Sequence, residues 1–261
     1  MGESPQRFES STLRSMKNFA FSIIIPTLNE EESLPVLLQT IATQSYKNFE
    51  VIIADCFSKD KTRLVALSFK DRIGKLIVIQ KKFKNVSQAR NYGASLAKNE
   101  FLIFFDADIK IEKKFLEEIN KKANLYNLDA LTVWNRAEKG IKGKFIFTLM
   151  NISMTLFQKI KPAANGPCII VKKRLFKKAG GFDEEITFGE DFDLIQRLVR
   201  NGAKFGVFSK PILYVSTRRF EKEGLILSLY KSLKAIYHQL FLGPIKKPIF
   251  EYKMGGDYYK S

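Results

Sequence analysis

Five consecutive apolar residues, Phe101-Leu102-Ile103-Phe104-Phe105, run directly into Asp106-Ala107-Asp108-Ile109. So short an apolar run, bounded by polar residues, fits a strand buried on both faces in the middle of a parallel sheet. Asp106 and Asp108 then stand at the carboxyl end of that strand, where open α/β sheets hold their ligands. Two hard oxygen anions there suit a divalent cation of the Mg²⁺ or Mn²⁺ type, which in turn holds a diphosphate. An isolated Asp-x-Asp has an ordinary alternative, with Asp106 capping the next helix and Asp108 solvated, so the neighbouring segments have to decide.

Those neighbours alternate. Residues 21–25 read as a strand stopped by Pro26, and Asn29 with three glutamates opens a helix to about residue 43. A second strand over 49–54 ends at Asp55, a helix follows over 61–69, and residues 76–79 give a third strand. A helix over 87–98 carries Arg90, Asn91 and Gly93 into the central strand. Four strand–helix alternations predict a parallel sheet with right-handed crossovers.

Beyond Asp108 come a charged helix over 113–124, a strand over 130–134 and an apolar helix over 144–160. The stripe Phe145, Leu149, Ile152, Leu156 and Ile160, with Phe147, Met150, Met154 and Phe157 beside it, is expected in the core, with an interfacial position as the alternative. Asn165-Gly166-Pro167 reads as a turn and 168–171 as a strand. Glu190-Asp191 opens a helix to residue 200, and 203–208 and 212–215 read as two short strands. One amphipathic helix is expected over 221–242, with the stripe Leu225, Leu229, Leu233, Ile236 and Leu240, followed by Lys246 and Lys247.

The formal net charge of +17 favours anionic partners, although lysines dispersed over helix faces name none. Cys56 and Cys168 lie far apart, which excludes a Cys-rich zinc site and points to a reducing compartment. His238 is the one histidine and sits in the C-terminal helix, away from the strand-end acids, which weakens imidazole-based mechanisms. No apolar run approaches the roughly 20 residues of a spanning helix. The expected location is the cytoplasm, peripheral on the inner face of the membrane where the C-terminal helix docks on anionic lipid; packing of that helix on its own domain is the alternative.

Five segments in order carry a resemblance: 21–30 (FSIIIPTLNE), Asp55 with Ser58, Asp60 and Thr62, Ala89-Arg90-Asn91-x-Gly93, Asp106-Ala107-Asp108, and Gly180-Gly181-Phe182 followed by Glu190-Asp191. Together they resemble an inverting glycosyltransferase of family 2 over about residues 20–215. The resemblance implies a GT-A fold, a Rossmann-like, mostly parallel α/β sheet flanked by helices. A flexible leader (1–18) would precede the domain (19–218), and a C-terminal amphipathic extension (219–261) would follow it. It implies a nucleoside-diphosphate sugar donor, an Mn²⁺ or Mg²⁺ cofactor and a hydroxyl acceptor, a lipid-linked or cell-envelope glycan precursor among the candidates.

It also implies roles. Pro26, Thr27 and Glu30 would border the base and ribose, and Asp55 would accept a hydrogen bond from the base, with an Asx-turn as the alternative. Arg90 would lie near nucleotide or phosphate, or else in a surface ion pair. Asp108 would be the main metal ligand, with Asp106 reaching ribose or a metal-bound water. Asp191, in the acid pair with Glu190, would be the catalytic base; helix capping is the alternative for that pair. From its own chemistry, Arg218 would close over the diphosphate or an anionic acceptor, or else stay solvated.

Departures are visible. Asp55-Cys56 stands where the family commonly has two acids, and the Gln-x-x-Arg-Trp signature of processive synthases is missing, which favours single addition. A sugar-phosphate nucleotidyltransferase would need a Gly-rich, Arg-containing loop after the first strand. A basic nucleic-acid-binding module would explain the charge but not the strand-end carboxylates, and no nucleic-acid partner is expected.

Overall fold

The computed structural model describes residues 16–164, 166–251 and 255–256. Residues 1–15 of the expected leader, Asn165 of the expected turn, and residues 252–254 and 257–261 of the tail lie outside the described residues. The chain begins with β1 (Phe21–Thr27), α1 (Leu34–Ala42), β2 (Phe49–Asp55), α2 (Thr62–Ser68), β3 (Leu76–Gln80), α3 (Val86–Leu96), β4 (Phe101–Phe105) and β5 (Ile109–Ile111). It continues through α4 (Phe115–Leu125), β6 (Ala130–Ala137), α5 (Ile141–Phe157), β7 (Cys168–Lys172), α6 (Lys173–Lys178), α7 (Glu190–Arg200), β8 (Phe205–Val215), α8 (Arg218–Glu223) and α9 (Leu225–Phe241).

Successive residues of a strand point to opposite faces, so a strand covered on both sides must be apolar throughout. In β1, β2 and β4 the residues Ile23, Ile53 and Ile103 meet Leu37, Leu38 and Ile41 of α1 on one face. Ile24, Ile52 and Leu102 meet Phe176 of α6 and Leu194 and Leu198 of α7 on the other. The eight strands form one sheet in the order β3-β2-β1-β4-β7-β6-β8-β5. Its first half is parallel, as expected. Beyond β4 the strand β7 runs antiparallel to both β4 and β6, and β5 antiparallel to β8. Because β1 lies between β2 and β4, the order reverses there, and the carboxyl ends of β1 and β4 open together on one crevice.

Several boundaries differ from the sequence reading for local reasons. β1 continues through Pro26: the Thr27 carbonyl accepts from Cys56 beside β2, so Pro26 faces β4, where pairing has already ended at Ile24 and no N–H is called for. Asn29 adopts φ 53° rather than capping a helix, and α1 starts five residues later. β8 is one strand, slipped against β6 between Val133/Phe208 and Asn135/Leu213, which is why it read as two. The single helix expected over 221–242 is broken at Gly224, whose φ of 78° and ψ of 154° no helix tolerates.

Gly93 brings α3 against β1. A Cβ there would stand 2.5 Å from Cγ2 of the fully buried Ile24. Gly93→Ala should therefore lower stability by about 1–2 kcal/mol, overpacking outweighing the roughly 1 kcal/mol of helix propensity that alanine adds. A melting temperature at or above that of the parent would show that α3 has room to move.

Candidate active site

The helix α3 acts as a rack for a loop almost a hundred residues away. Asn91 donates to the Phe182 carbonyl at 2.9 Å and accepts from the Phe182 N–H at 2.9 Å. Asn85, whose side chain caps α3 by accepting from Gln88, also donates to the Glu184 carbonyl at 2.7 Å. Gly181, at φ 71°, lies so close that a Cβ would meet Asn91 Oδ1 at 2.7 Å. From this anchored loop the chain turns at Gly189, at φ 79°, into Glu190 and Asp191 at the start of α7.

Between the two stands Arg90, its side chain 3% exposed. Its Nη1 donates to Glu190 Oε1 at 2.7 Å and its Nη2 to Asp106 Oδ1 at 2.7 Å, with the Gly166 carbonyl at 3.5 Å. One guanidinium thus joins the end of β4 to the start of α7. Asp191 lies beside them: a Cβ on Gly166 would be 3.3 Å from its Oδ2, and the neighbouring Pro167 carbonyl accepts from the Asp106 N–H. Burial alone would favour loss of the Arg90 charge, but Asp106 and Glu190 more than offset it and hold the group protonated.

A second arginine gathers the other acids. Ser216 donates its N–H to the Asp108 carbonyl, which seats the end of β8 beside the acid pair. Arg218 Nη2 then reaches Glu30 Oε2 at 3.1 Å and Asp108 Oδ2 at 3.3 Å, while its Nε donates to Ser216 Oγ at 3.2 Å. Burial raises the Asp108 carboxyl above its usual range, and the Asp106 charge adds to this while Arg218 opposes it. Glu30 is pushed up to about 7, by burial first, with Arg218 pulling down and Asp108 pushing up. Asp191 also stands well above the ordinary carboxylate range, through burial and then the nearby Glu190 and Asp106.

Beneath the loop after β1 lies a knot of polar side chains. The fully buried Asp55 accepts from Thr27 Oγ1 at 3.1 Å, from the Ser58 N–H at 3.1 Å, from the Ser58 hydroxyl and from Gln80 Nε2 at 3.2 Å. Thr62 Oγ1 accepts from the Glu30 N–H at 2.7 Å, and Asn29 Oδ1 from the Lys59 N–H at 2.7 Å. The loops after β1 and β2 are thereby fixed as one unit, which holds Glu30 where Arg218 meets it.

A family model described as "Glycosyl transferase family 2" matches residues 22–179, well over half the chain. The chain belongs to glycosyl transferase family 2. It is 30% identical over 219 residues to the amylovoran biosynthesis glycosyltransferase AmsB of Erwinia amylovora, covering 76% of this chain and 69% of AmsB. To the poly(ribitol-phosphate) β-N-acetylglucosaminyltransferase TarS of Staphylococcus aureus it is 24% identical, over 76% of this chain but 36% of TarS. The chain therefore spans about a third of one curated relative and about two thirds of the other. The crystal structure of TarS 1–349 in complex with UDP-GlcNAc superposes at a TM-score of 0.64, with 21% identity, over 85% of this chain and 73% of that one. The mannosyltransferase PcManGT of Pyrobaculum calidifontis, in complex with GDP-Man and Mn²⁺, gives 0.67 with 17% identity, over 88% and 72%. These superpositions establish the GT-A fold, and the family match decides against the nucleotidyltransferase and nucleic-acid-binding alternatives.

Within this family 2 domain the expected site residues divide into two groups. Glu30, Asp106, Asp108, Asp191 and Arg218 belong to one cluster of charged side chains, and Pro26 is half-buried in β1. Four others are held by partners within the protein. Thr27 and Asp55, expected at the base and ribose, spend their side-chain oxygens on each other, and Asp55 also on Ser58 and Gln80. Arg90, expected near nucleotide or phosphate, pairs with two carboxylates, and Glu190, expected in the catalytic pair with Asp191, pairs with Arg90. The pairing of Arg90 with Glu190 spans 100 residues, and no local pattern announces it.

Because Glu30 carries a raised folded-state pKa, its contribution to stability is full below about 4.5 and is lost as pH climbs through about 7. Glu30→Gln removes that loss. Its melting temperature relative to the parent should therefore rise across this window, and a difference that stays flat with pH would contradict burial of an ionisable Glu30 in the crevice.

Proposed function

We propose that this chain moves one sugar from a nucleoside-diphosphate sugar to a hydroxyl acceptor, with inversion at the anomeric carbon and with a divalent cation as cofactor. The observation that carries the proposal is the Arg90 bridge, which ties Asp106 at the end of β4 to Glu190, the neighbour of Asp191, close to the topological switch point. The donor class is supported by the relatives solved with UDP-GlcNAc and with GDP-Man and Mn²⁺.

Asp106 and Asp108 are both only partly covered, at 32% and 24% side-chain exposure, and no third acidic, histidine or cysteine ligand joins them among the described residues. Such a donor set fits Mg²⁺ or Mn²⁺, which take one or two protein carboxylates and fill the remaining positions from phosphate and water. When bound, the ion would neutralise charge accumulating on the departing diphosphate.

The chain's own residues do the rest. Asp191 takes the proton of the acceptor hydroxyl as its oxygen bonds to the anomeric carbon and the bond to the diphosphate breaks; one displacement inverts that centre. A carboxylate held above its ordinary range by burial and by neighbouring acids suits the work of a base near neutrality. Glu190 acts as a positioning residue through Arg90. Arg218, resting on Glu30 and Asp108, supplies a second cation that can turn to the leaving diphosphate. Residues 19–218 form the catalytic domain on this reading, followed by the C-terminal extension 219–261.

Two substitutions separate binding from chemistry. Asp108→Asn should weaken Mn²⁺-dependent donor binding by at least about tenfold in calorimetry; unchanged affinity would remove Asp108 from the metal site. Asp191→Asn should leave that affinity intact and lower kcat by roughly 10²–10⁴-fold, whereas full turnover would place the base elsewhere.

A further inference from the structure

The apolar stripe of α5 expected in the core is not there. Ile146, Phe147 and Met154 are the apolar residues that pack inward, while Phe145, Leu149, Ile152, Leu156 and Ile160 all face out. The α9 helix behaves likewise: Ala235 and Ser228 are buried, and Ile226, Leu233 and Ile236 are exposed. Of the 21 exposed large hydrophobics among the described residues, 15 lie on these two helices or just beyond their ends, so the exposure is concentrated rather than scattered.

The chain just after the start of α5 and just past its end is tied to the segment that carries α8 and α9. At its start α5 touches the segment leading to α8, since a Cβ on Gly143 would be 3.1 Å from Thr217 Cγ2. Past its end, Lys161 shares a hollow with Gln239 and Phe241 of α9 and with Phe192 of α7. This hollow reaches the turn into α7, where Gln239 donates to the Phe188 and Gly189 carbonyls immediately before Glu190 and Asp191. The C-terminal end of α9 is thus joined to the turn that opens into Glu190 and Asp191.

We infer that α5 and α9 together form a docking surface for an anionic lipid bilayer, lying in the plane of the headgroups. Charge selects this occupant. Neither helix contains an acidic residue, whereas lysines stand exposed at Lys144 on α5, Lys159 just past its end, Lys234 on α9 and Lys247 beyond it; Lys246 is also exposed but pairs with Asp183 and Glu185. An apolar face rimmed by lysines buries its side chains at the acyl boundary while the ammonium groups meet anionic headgroups. A second copy of the chain would instead bring two bodies of formal charge +17 face to face. Neither helix is long and apolar enough to cross the membrane, so both lie on it. One consequence rests on the transfer reading above: an acceptor hydroxyl carried on a membrane lipid would reach Asp191 from the docked side.

Flotation of the whole chain with phosphatidylcholine vesicles, with and without about one third phosphatidylglycerol, tests the surface directly. The protein should float with the anionic vesicles, and raising salt to about 0.5 M should weaken the binding. Phe145→Glu with Leu156→Glu on α5, and separately Ile226→Glu with Leu233→Glu on α9, should each reduce vesicle binding by at least about tenfold. Donor affinity measured by calorimetry should stay unchanged in both, which keeps a failure of docking apart from a failure of the transferase reading. Any of three results would overturn the inference: no flotation on anionic vesicles, a loss confined to one of the two helices, or a concentration-dependent dimer that the same substitutions dissolve while vesicle binding is absent.

Discussion

A buried guanidinium holding two carboxylates from separate stretches of the chain is the constraint on which this site depends. Arg90 is out of water, and so are the faces of Asp106 and Glu190 that it touches. Removing one member of such a set leaves the others desolvated and unpaired, which costs about 3–5 kcal/mol, far more than the intact set contributes over an apolar substitute. Its value is therefore geometric. The parallel sheet fixes Asp106, the rack of Asn85 and Asn91 on α3 fixes the loop after Gly181, and Arg90 locks the two to one spacing.

The electrostatics of the crevice follow from that lock. Five acids, Glu30, Asp106, Asp108, Glu190 and Asp191, are gathered within reach of two arginines, so the chain is locally anionic in a protein of large positive charge. Crowding and burial push Glu30, Asp108 and Asp191 above their ordinary range. Each shift is the cost of assembling the acids, and added positive charge at the crevice would relieve it. The same arrangement separates the acids: Glu190 and Asp55 are satisfied within the fold, whereas Asp108 and Asp191 have raised carboxyls, the character that the proposed chemistry would draw on.

Much of this was legible before any coordinates. Phe101–Phe105 followed by Asp106 and Asp108 announces a central strand with acids at its end, because burial on both faces demands unbroken apolarity and the crevice demands its end be polar. Helix α7 and its opening acids were visible for a similar reason, a change from turn residues to helical period at Gly189. Partnerships were not. Nothing near Arg90 distinguishes a residue facing phosphate from one enclosed by Asp106 and Glu190, and nothing near Asp55 shows that Thr27, Ser58 and Gln80 will use both its oxygens. β5, at three residues, is too short to carry a period, and the break at Gly224 hides inside an otherwise continuous amphipathic pattern. The α5 stripe was read as core because apolarity reports only that a face avoids water, not what covers it.

The interaction between Arg90 and Glu190 can be measured on its own by a double-mutant cycle. Arg90→Met, Glu190→Gln and the double variant, unfolded in denaturant, give a coupling free energy free of each substitution's separate cost. If the bridge holds β4 and α7 together, the coupling is about 1–3 kcal/mol, and the double variant is less damaged than the sum of the singles. Additivity within about 0.5 kcal/mol would mean that the two groups do not depend on each other, and the crevice would have to be held by something else.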